Sequence, residues 1–363
     1  MPGLTLSNLT PPFPAGVPVH PLLIVDYELL LRRDEREINK LWLAATGLGF
    51  WYLKNHGTQQ EVDRMFEWGS ETFSLPLEEK LKYDIGMDGN SVGYKAKGSI
   101  ATDALGTLDT VEFFTISQND VFAYPQTIRR KYPEPVNRRM RNTLLPFAQK
   151  SKAINETFLR IFEERLGLPY GEFAKTHQED KLCCSELRCV KTPPNQSSTG
   201  IGPHSDFGTL TIVHNRLGGL QVMPPGTDEW LYIKPLPGHA VCNIADALSL
   251  FSGGILRSSV HRVMPPPGSQ SRYERYSICY FTRPNDDAIL RALSDKSPLI
   301  AEAVRRAPPG QFEPGCTSSE WISRRIRNLC LKSRQGFIAS QGTEKIAIGK
   351  QPQGVSPASM LRS

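Results

Sequence analysis

The 363-residue sequence has no long apolar run. Its hydrophobic residues stand in short groups, whereas a membrane-spanning helix needs about 18 consecutive apolar residues. The N-terminal stretch, MPGLTLSNLTPPFPAGVPVH, has no basic segment followed by an apolar core, and the final Leu-Arg-Ser is not a peroxisomal signal. No internal repeat is visible either. These absences favour a cytoplasmic protein that has no membrane partner.

Cysteine is sparse and shows no metal-binding spacing. The seven cysteines are odd in number and include no C-x-x-C pair, and a chain of this length needs no disulfide bonds for stability. Three of them, Cys183, Cys184 and Cys189, cluster in LCCSELRC. A zinc site there is the less favoured alternative, and we expect reduced thiols.

The net charge of +6 does not indicate a nucleic-acid partner. Residues 321–363 carry eight Lys and Arg residues and one Glu, so the first 320 residues are nearly neutral. Nucleic-acid binding would need basic residues on the folded body, with aromatic side chains on which bases can stack. We expect instead that residues 333–363 form a disordered basic tail.

The first half of the chain combines a proline-rich start with helical patterns. We expect a flexible lead over 1–20 and a mixed, mainly helical region over 21–170 that packs on the core. Apolar periodicity predicts a buried strand over 21–27 and helices over 34–46, 58–76 and 134–167.

Local signals refine this half. Thr58, with Glu61 three residues later, predicts an N-cap for the second helix. Pro146 predicts a kink or a division of the third. The Gly- and Ser-rich residues 84–110 predict a long loop, and His56 in the Asn-His-Gly turn is interpreted as structural.

From about 186 to 284 the pattern changes to short β-rich segments separated by Gly, Pro and Asn turns. The segments are LRCVKT, GTLTIVH, GLQVM, EWLYIKP, HAVCNIA, SSVHRVM and RYSICYFTRP. Strands at this spacing without intervening helices indicate an antiparallel sandwich or barrel. We therefore predict a mainly β fold with flanking α-helices (α+β), whose catalytic core spans 171–332 and ends in a helix over 318–332.

A candidate metal site lies among these strands. His204 and Asp206 are two residues apart, so in a strand both side chains would point to the same face. Alone, the pair is more typical of a turn, but His261 lies on another strand that should be buried. Two His and one carboxylate are the ligand set of non-haem Fe(II) oxygenases. His214 and His239 are weaker candidates because no carboxylate stands at a matching spacing.

A candidate carboxylate clamp lies on a neighbouring strand. Arg275 and Ser277 in RYSICYF are also two apart, so they share a face. An arginine that points inward is costly unless it pairs with an anion, and arginine grips carboxylates through two hydrogen bonds. Metal site and clamp together predict a pocket for an acid that also chelates iron.

Over about 20–330 the sequence resembles the iron(II)- and 2-oxoglutarate-dependent dioxygenases of the isopenicillin N synthase-like type. The resemblance rests on GFWYLKNHG, GLQV, VCNIADAL and SSVHRV, and on the order His204-x-Asp206, His261, Arg275-x-Ser277. It implies a double-stranded β-helix (jelly roll) core. His204, Asp206 and His261 would bind Fe(II), and Arg275 with Ser277 would bind the distal carboxylate of 2-oxoglutarate.

The implied activity is oxidation of a small organic molecule by hydroxylation, desaturation or ring closure, while 2-oxoglutarate and O2 become succinate and CO2. Ascorbate would serve as reductant, a monomer is expected, and secondary-metabolite biosynthesis is the favoured setting. Thr192 stands where the family usually has a tyrosine that helps to hold the cosubstrate, and Ala245 replaces a usual glycine. The alternatives are an iron-dependent oxidase of this fold that does not use 2-oxoglutarate, and a non-catalytic binding protein.

Three further residues are candidates for substrate contact. Phe281 and Arg283 follow Ser277 at even spacing, so both should face the interior, where Phe281 would pack on the substrate and Arg283 would touch a polar or acidic group. Arg283 as a solvated charge at the strand end is an equally good interpretation. Tyr94, in the predicted Gly-rich loop, would belong to a lid over the site.

Overall fold

The computed structural model describes residues 11–86, 91–103 and 105–329, so the predicted tail at 333–363 lies outside the described residues. The strands in this part are β1 (Ile24–Asp26), β2 (Phe50–Lys54), β3 (Gly93–Lys95), β4 (Glu112–Ser117), β5 (Glu186–Thr192), β6 (Ile201–His204), β7 (Leu210–Asn215), β8 (Leu220–Val222), β9 (Leu231–Tyr232), β10 (Ala240–Ile244), β11 (His261–Val263) and β12 (Arg275–Thr282). The α-helices are α1 (Tyr27–Leu31), α2 (Glu35–Gly47), α3 (Gln59–Phe73), α4 (Leu77–Leu81), α5 (Gln118–Ala123), α6 (Glu134–Arg139), α7 (Leu145–Arg165), α8 (Asp246–Phe251), α9 (Pro298–Arg306) and α10 (Ser318–Leu329).

The strands form two sheets whose connections cross between them. The larger sheet has the order β1-β2-β10-β7-β12-β5-β4-β3, and the smaller has the order β6-β11-β8-β9. From β5 onward the chain passes repeatedly from one sheet to the other, with β5, β7, β10 and β12 in the larger sheet and β6, β8, β9 and β11 in the smaller. All pairings among these eight strands are antiparallel. This is a double-stranded β-helix, and the predicted jelly roll with flanking helices is confirmed.

The N-terminal half was predicted to pack against the core, but it also contributes four strands to the larger sheet. β2 lies antiparallel on β10, and β4 lies antiparallel on β5, so β1–β4 extend both edges of the jelly roll. The prediction of a long loop over 84–110 is wrong at β3, which pairs with β4. A three-residue strand is too short to show an alternating pattern. The division at 170 stays a prediction, although one continuous sheet includes strands from both sides of it.

The helices largely follow their sequence patterns. The helix predicted over 134–167 is divided into α6, a π-helical segment at Met140–Leu144, and α7, with Pro146 in the first turn of α7. Gly167 adopts a φ of +64° just past its end. Thr58 is the N-cap residue of α3, as predicted, but its hydroxyl makes no capping hydrogen bond and lies 2.6 Å from Nδ1 of His56. No helix among the described residues has the length and apolar content that crossing a membrane requires.

Candidate active site

The smaller sheet brings the two predicted metal-binding histidines together. His204 ends β6, His261 begins β11, and the two residues are direct partners across this antiparallel pair. Asp206 lies in the turn after β6, so the expectation that a strand places it beside His204 is wrong in detail. The turn nevertheless directs its carboxylate to the same place, because the Asp206 carbonyl accepts a hydrogen bond from the amide of Asp246.

The three side chains form a cluster of metal-ligand geometry. Nε2 of His204 is 3.9 Å and Nε2 of His261 is 3.7 Å from Oδ1 of Asp206, and one candidate ligand atom from each residue lies within 4.8 Å of the others. Nδ1 of His204 is 2.8 Å from the Gly202 carbonyl, and Nδ1 of His261 is 3.2 Å from the Ser259 carbonyl. Each Nδ1 must therefore carry the proton, which leaves both Nε2 lone pairs for a metal.

The Asp206 carboxylate is divided between two tasks. Its Oδ2 accepts hydrogen bonds from Oγ1 of Thr211 at 2.7 Å and Nδ2 of Asn243 at 2.9 Å, which leaves Oδ1 facing the histidines. Burial opposes its ionisation, but His261, His204 and these hydrogen bonds bring the pKa of Asp206 below its usual value. Burial lowers the pKa of His204 to about 4, and the adjacent His261 adds to this effect. An ionised carboxylate and a neutral imidazole are the forms that bind Fe(II).

The predicted carboxylate clamp is a set of buried polar groups that keep unused hydrogen-bonding capacity among the described residues. Arg275 is 2% exposed, and its Nε donates to the Gly218 carbonyl at 2.6 Å, but no described residue accepts from its terminal nitrogens. The Ser277 hydroxyl and the hydroxyl of Thr192, which lies opposite Arg275 in the register, are also buried without partners among the described residues. Burial lowers the pKa of Arg275 to about 10, so its guanidinium stays charged at neutral pH. A buried cation without an acidic partner fits a site for an anionic ligand.

A glycine makes room for this arginine. A Cβ on Gly219 would lie 3.1 Å from Nε of Arg275 and 2.6 Å from the Met264 carbonyl. Its φ of +121° is also a conformation that other residues rarely adopt. A larger residue at this position would therefore collide with the Met264 carbonyl and press on the Arg275 side chain.

Metal cluster and clamp face one cavity of about 160 Å³ between the two sheets. Phe281 lines it, as predicted from its even spacing to Ser277. Arg283 also reaches its wall, but both terminal nitrogens are occupied by Glu186, at 2.8 and 2.9 Å. The other side chains that line the cavity are mainly apolar: Ile85, Ile100, Val111, Phe113, Val190, Ile201, Phe207 and Ile326.

The prediction that Tyr94 belongs to a lid is wrong. Tyr94 is 2% exposed in β3 and packs in the main hydrophobic core, where its hydroxyl donates to Oε2 of Glu112 at 2.7 Å. Because side chains alternate along a strand, its neighbour Lys95 is the residue that faces the cavity. Lys95 pairs there with Asp109.

The weaker candidates lie apart from the cavity. His214 points to the opposite face of β7 from Thr211 and Val213, and its ring packs 5.3 Å from that of His56. Nδ1 of His239 is 2.8 Å from the Pro237 carbonyl. Within the described ranges, His204, Asp206 and His261 are the one group of three or more His, Cys, Asp or Glu side chains close enough together to hold a metal ion, and the clustered cysteines do not form such a group.

Helix α10 supports the metal cluster, a role that sequence patterns did not suggest. Arg325 is fully buried and donates to Oδ2 of Asp246 at 2.7 Å, and Ser205 donates to the same oxygen at 2.9 Å. The Arg325 guanidinium also lies 4.4 Å from the ring centroid of Phe207. The helix therefore holds Ser205 and Phe207, the residues on either side of Asp206.

Replacement of Arg325 by methionine should weaken both the fold and the metal site. It leaves the Asp246 carboxylate buried without a cation, which costs about 3–5 kcal/mol of unfolding free energy. We also expect an about 10–100-fold loss of Fe(II) affinity, as is typical when residues behind metal ligands are removed. Urea unfolding and anaerobic Fe(II) titration measure the two effects. Arg327→Met, on the exposed side of the same helix, is the control. Wild-type values for Arg325→Met would contradict this supporting role.

Family profiles and curated relatives match large parts of the chain. The profile of the 2OG-Fe(II) oxygenase superfamily matches residues 182–284, and that of the non-haem dioxygenase in morphine synthesis N-terminal domain matches residues 22–139. The chain is 29% identical over 280 residues to the 2-oxoglutarate-dependent dioxygenase ecdG of Aspergillus rugulosus, covering 74% of this chain and 82% of that protein. It is 34% identical over 169 residues to the 2-oxoglutarate-dependent dioxygenase iboH of Amanita muscaria, covering 45% and 78% respectively.

Solved structures show the same architecture. A 2OG-Fe(II) oxygenase family protein from Caulobacter crescentus superposes with a TM-score of 0.69 at 25% identity, over 85% of this chain and 99% of that one. A full-length Neurospora crassa protein, solved in complex with alpha-KG and 5-formyluracil, gives a TM-score of 0.68 at 24% identity, over 86% and 97%. The chain therefore belongs to the Fe(II)- and 2-oxoglutarate-dependent dioxygenases, which are oxidoreductases, and the resemblance seen in its sequence is confirmed.

Proposed function

We propose that His204, Asp206 and His261 hold Fe(II), and that Arg275 and Ser277 bind the distal carboxylate of 2-oxoglutarate, in an enzyme that oxidises a small organic molecule. The observation that carries this proposal is that one cavity holds both a group of metal-ligand atoms and a buried cation without an anion among the described residues. Two histidine nitrogens and one carboxylate oxygen converge within 4.8 Å of one another, and a buried guanidinium that lines the same cavity has no anion among the described residues. Fe(II) would bind the ligand atoms, and a carboxylate of 2-oxoglutarate would pair with the guanidinium.

Bound iron would supply the oxidising chemistry with O2, and the protein's own residues position and shield the reactants. The ligand atoms are held in place before any metal binds. The carbonyls of Gly202 and Ser259 fix the two histidine rings, and the Thr211 hydroxyl donates to the Asp206 carboxylate. Arg275 orients a dicarboxylate so that its other end points toward the histidines. The apolar walls exclude water from the reacting centre.

Several finer features belong to the same proposal. The substrate is a small molecule, the enzyme works as a cytoplasmic monomer, and ascorbate keeps the iron reduced. Secondary-metabolite biosynthesis is supported by the match of residues 22–139 to a domain described from morphine synthesis. Thr192, whose buried hydroxyl has no partner among the described residues, replaces the tyrosine usual in the family as a donor near Arg275.

The test is the stoichiometry of the reaction. With Fe(II), ascorbate, O2 and an accepted substrate, we expect one succinate for each product molecule, measured by succinate assay and mass spectrometry. Product without succinate would reject the cosubstrate role of 2-oxoglutarate. If the protein bound neither Fe(II) nor 2-oxoglutarate, it would be a non-catalytic binding protein.

A second candidate is an iron-dependent oxidase that does not use 2-oxoglutarate. It is favoured by Thr192 at the tyrosine position and by 27% identity over 305 residues to the 1-aminocyclopropane-1-carboxylate oxidase of Dictyostelium discoideum. In that case Arg275 would bind the carboxylate of the substrate itself. Product formation that is unaffected by omitting 2-oxoglutarate would select this function.

A further inference from the structure

A second basic cluster lines the cavity apart from the clamp. Arg188 on β5 and Arg283 after β12 both line the wall and both pair with Glu186, which is 0% exposed. Glu186 also accepts from the Ser91 hydroxyl at 2.5 Å. Burial opposes its ionisation, but the two guanidinium groups bring the pKa of Glu186 below its usual value. Two cations therefore share one carboxylate, which leaves one positive charge in excess.

Arg188 is the member of this cluster that can receive a ligand. Its Nε donates to Oγ1 of Thr115 at 3.0 Å and its Nη2 to Glu186, but no described residue accepts from Nη1. The guanidinium carbon lies 4.2 Å from the ring centroid of Phe113 and 4.9 Å from that of Phe281. The two rings hold the guanidinium in place at the cavity wall. Both terminal nitrogens of Arg283, in contrast, are taken by Glu186.

Arg188 and Arg275 mark two separate anion sites. Both lie on the cavity face of adjacent strands, where Arg275 is opposite Thr192 and Arg188 is opposite Cys279. Four residues along β5 separate the two positions, which corresponds to about 13 Å at the usual strand rise. The two arginines therefore enter the cavity at positions that are well separated along the strands.

The charges in the cavity leave the Arg188 site unmatched. If iron and cosubstrate bind as proposed, Fe(II), Asp206, Arg275 and dianionic 2-oxoglutarate together sum to zero charge. Lys95 and Asp109 form a neutral pair on the wall. Among the described residues, the single positive charge of the cluster around Glu186 then remains without a counter-charge in a mainly apolar cavity, which is costly.

We propose that the substrate is a mainly apolar monocarboxylate whose carboxylate binds Arg188, between Phe113 and Phe281, while its apolar part extends along the cavity toward the metal. This inference rests on the proposed function, because it assumes that 2-oxoglutarate occupies Arg275. It assigns to Arg188 the recognition of an acidic group that the sequence had assigned to Arg283. Arg283 and Glu186 act as positioning residues that hold Arg188.

The test measures binding to the full chain loaded with Ni(II) and saturating 2-oxoglutarate, a complex that binds ligands without turnover. The probes are phenylacetate, cinnamate and octanoate, each compared by calorimetry with its uncharged primary amide. Because a charge-assisted hydrogen bond is involved, we expect at least one acid to bind about tenfold or more tightly than its amide. Arg188→Gln should remove that preference, and Arg291→Gln, an exposed surface arginine paired with Asp295, should keep it.

The outcomes separate this inference from the proposed function. If metal-loaded wild-type protein does not bind 2-oxoglutarate, the proposed function fails first. If 2-oxoglutarate binds but acids and amides bind equally, if no acid binds, or if Arg188→Gln retains the preference, the monocarboxylate inference is overturned. Wild-type affinity of Arg188→Gln for 2-oxoglutarate shows that the variant is folded. If it does not fold, Arg188→Lys, which lacks the planar fork, must bind the acid several-fold more weakly, and equal affinity would reject the role of Arg188.

Discussion

Replacement of His204, Asp206 or His261 by alanine, one at a time, is expected to lower Fe(II) affinity by more than about 100-fold and to abolish turnover. Each change removes one of three converging donor atoms, and no other His, Cys, Asp or Glu of the described chain joins this group. Loss of a residue that only supports a ligand already costs about 10–100-fold in affinity, so loss of the ligand must cost more. Anaerobic titration with Fe(II), followed by absorbance with 2-oxoglutarate present, measures the effect.

His239→Ala is the matched control for this series. His239 belongs to the same strand-rich region, and its Nδ1 is likewise close to a backbone carbonyl, but it lies outside the cavity. We expect it to keep wild-type iron affinity and turnover. The far-ultraviolet circular dichroism of all four variants should match that of the wild type. A His204 or Asp206 variant that binds Fe(II) as tightly as the wild type would disprove the assignment.

The convergence of the candidate metal ligands, and the shared face of Arg275 and Ser277, were predictable from residue type and spacing. Two His and one Asp are a distinctive ligand set. The alternation of side chains along a strand predicted that Arg275 and Ser277 share a face, and both residues do lie in one strand, β12. The β-rich texture likewise predicted most of the jelly-roll strands. For Asp206 the reasoning was wrong although the residue lies in the cluster, since β6 ends at His204 and a turn supplies the geometry.

The supporting residues were not predictable because they depend on contacts between distant parts of the chain. Arg325 donates a hydrogen bond to Asp246, which is 79 positions away in the sequence. The amphipathic pattern of α10 does not reveal which element its buried arginine will contact. Arg188 stands in a predicted strand, but its role follows from the register of β5 against β12 and from the two rings around it. Tyr94 was misplaced because a strand of three residues leaves no periodic signal.

Arg275→Lys is expected to raise the KM for 2-oxoglutarate by about 10–100-fold, because hydrogen bonds to charged groups contribute about 1.5–3 kcal/mol and lysine cannot form the paired contacts of a guanidinium. The ammonium keeps the charge but cannot both reach the Gly218 carbonyl and present two parallel donors to a carboxylate. Ser277→Ala removes one neutral donor, so we expect a smaller rise of about fivefold. Initial rates of succinate formation at varied 2-oxoglutarate measure both effects.

The control for the clamp is Arg272→Lys, because this arginine is only three positions away but exposed to solvent. It should leave the KM for 2-oxoglutarate unchanged, and Arg188→Gln should do so as well if the two anion sites are separate. The informative comparison is between KM values for the two ligands. If Arg275→Lys raised the KM of the primary substrate and product formed at the same rate with and without 2-oxoglutarate, Arg275 would hold the substrate carboxylate, and the oxidase that does not use 2-oxoglutarate would be the better description.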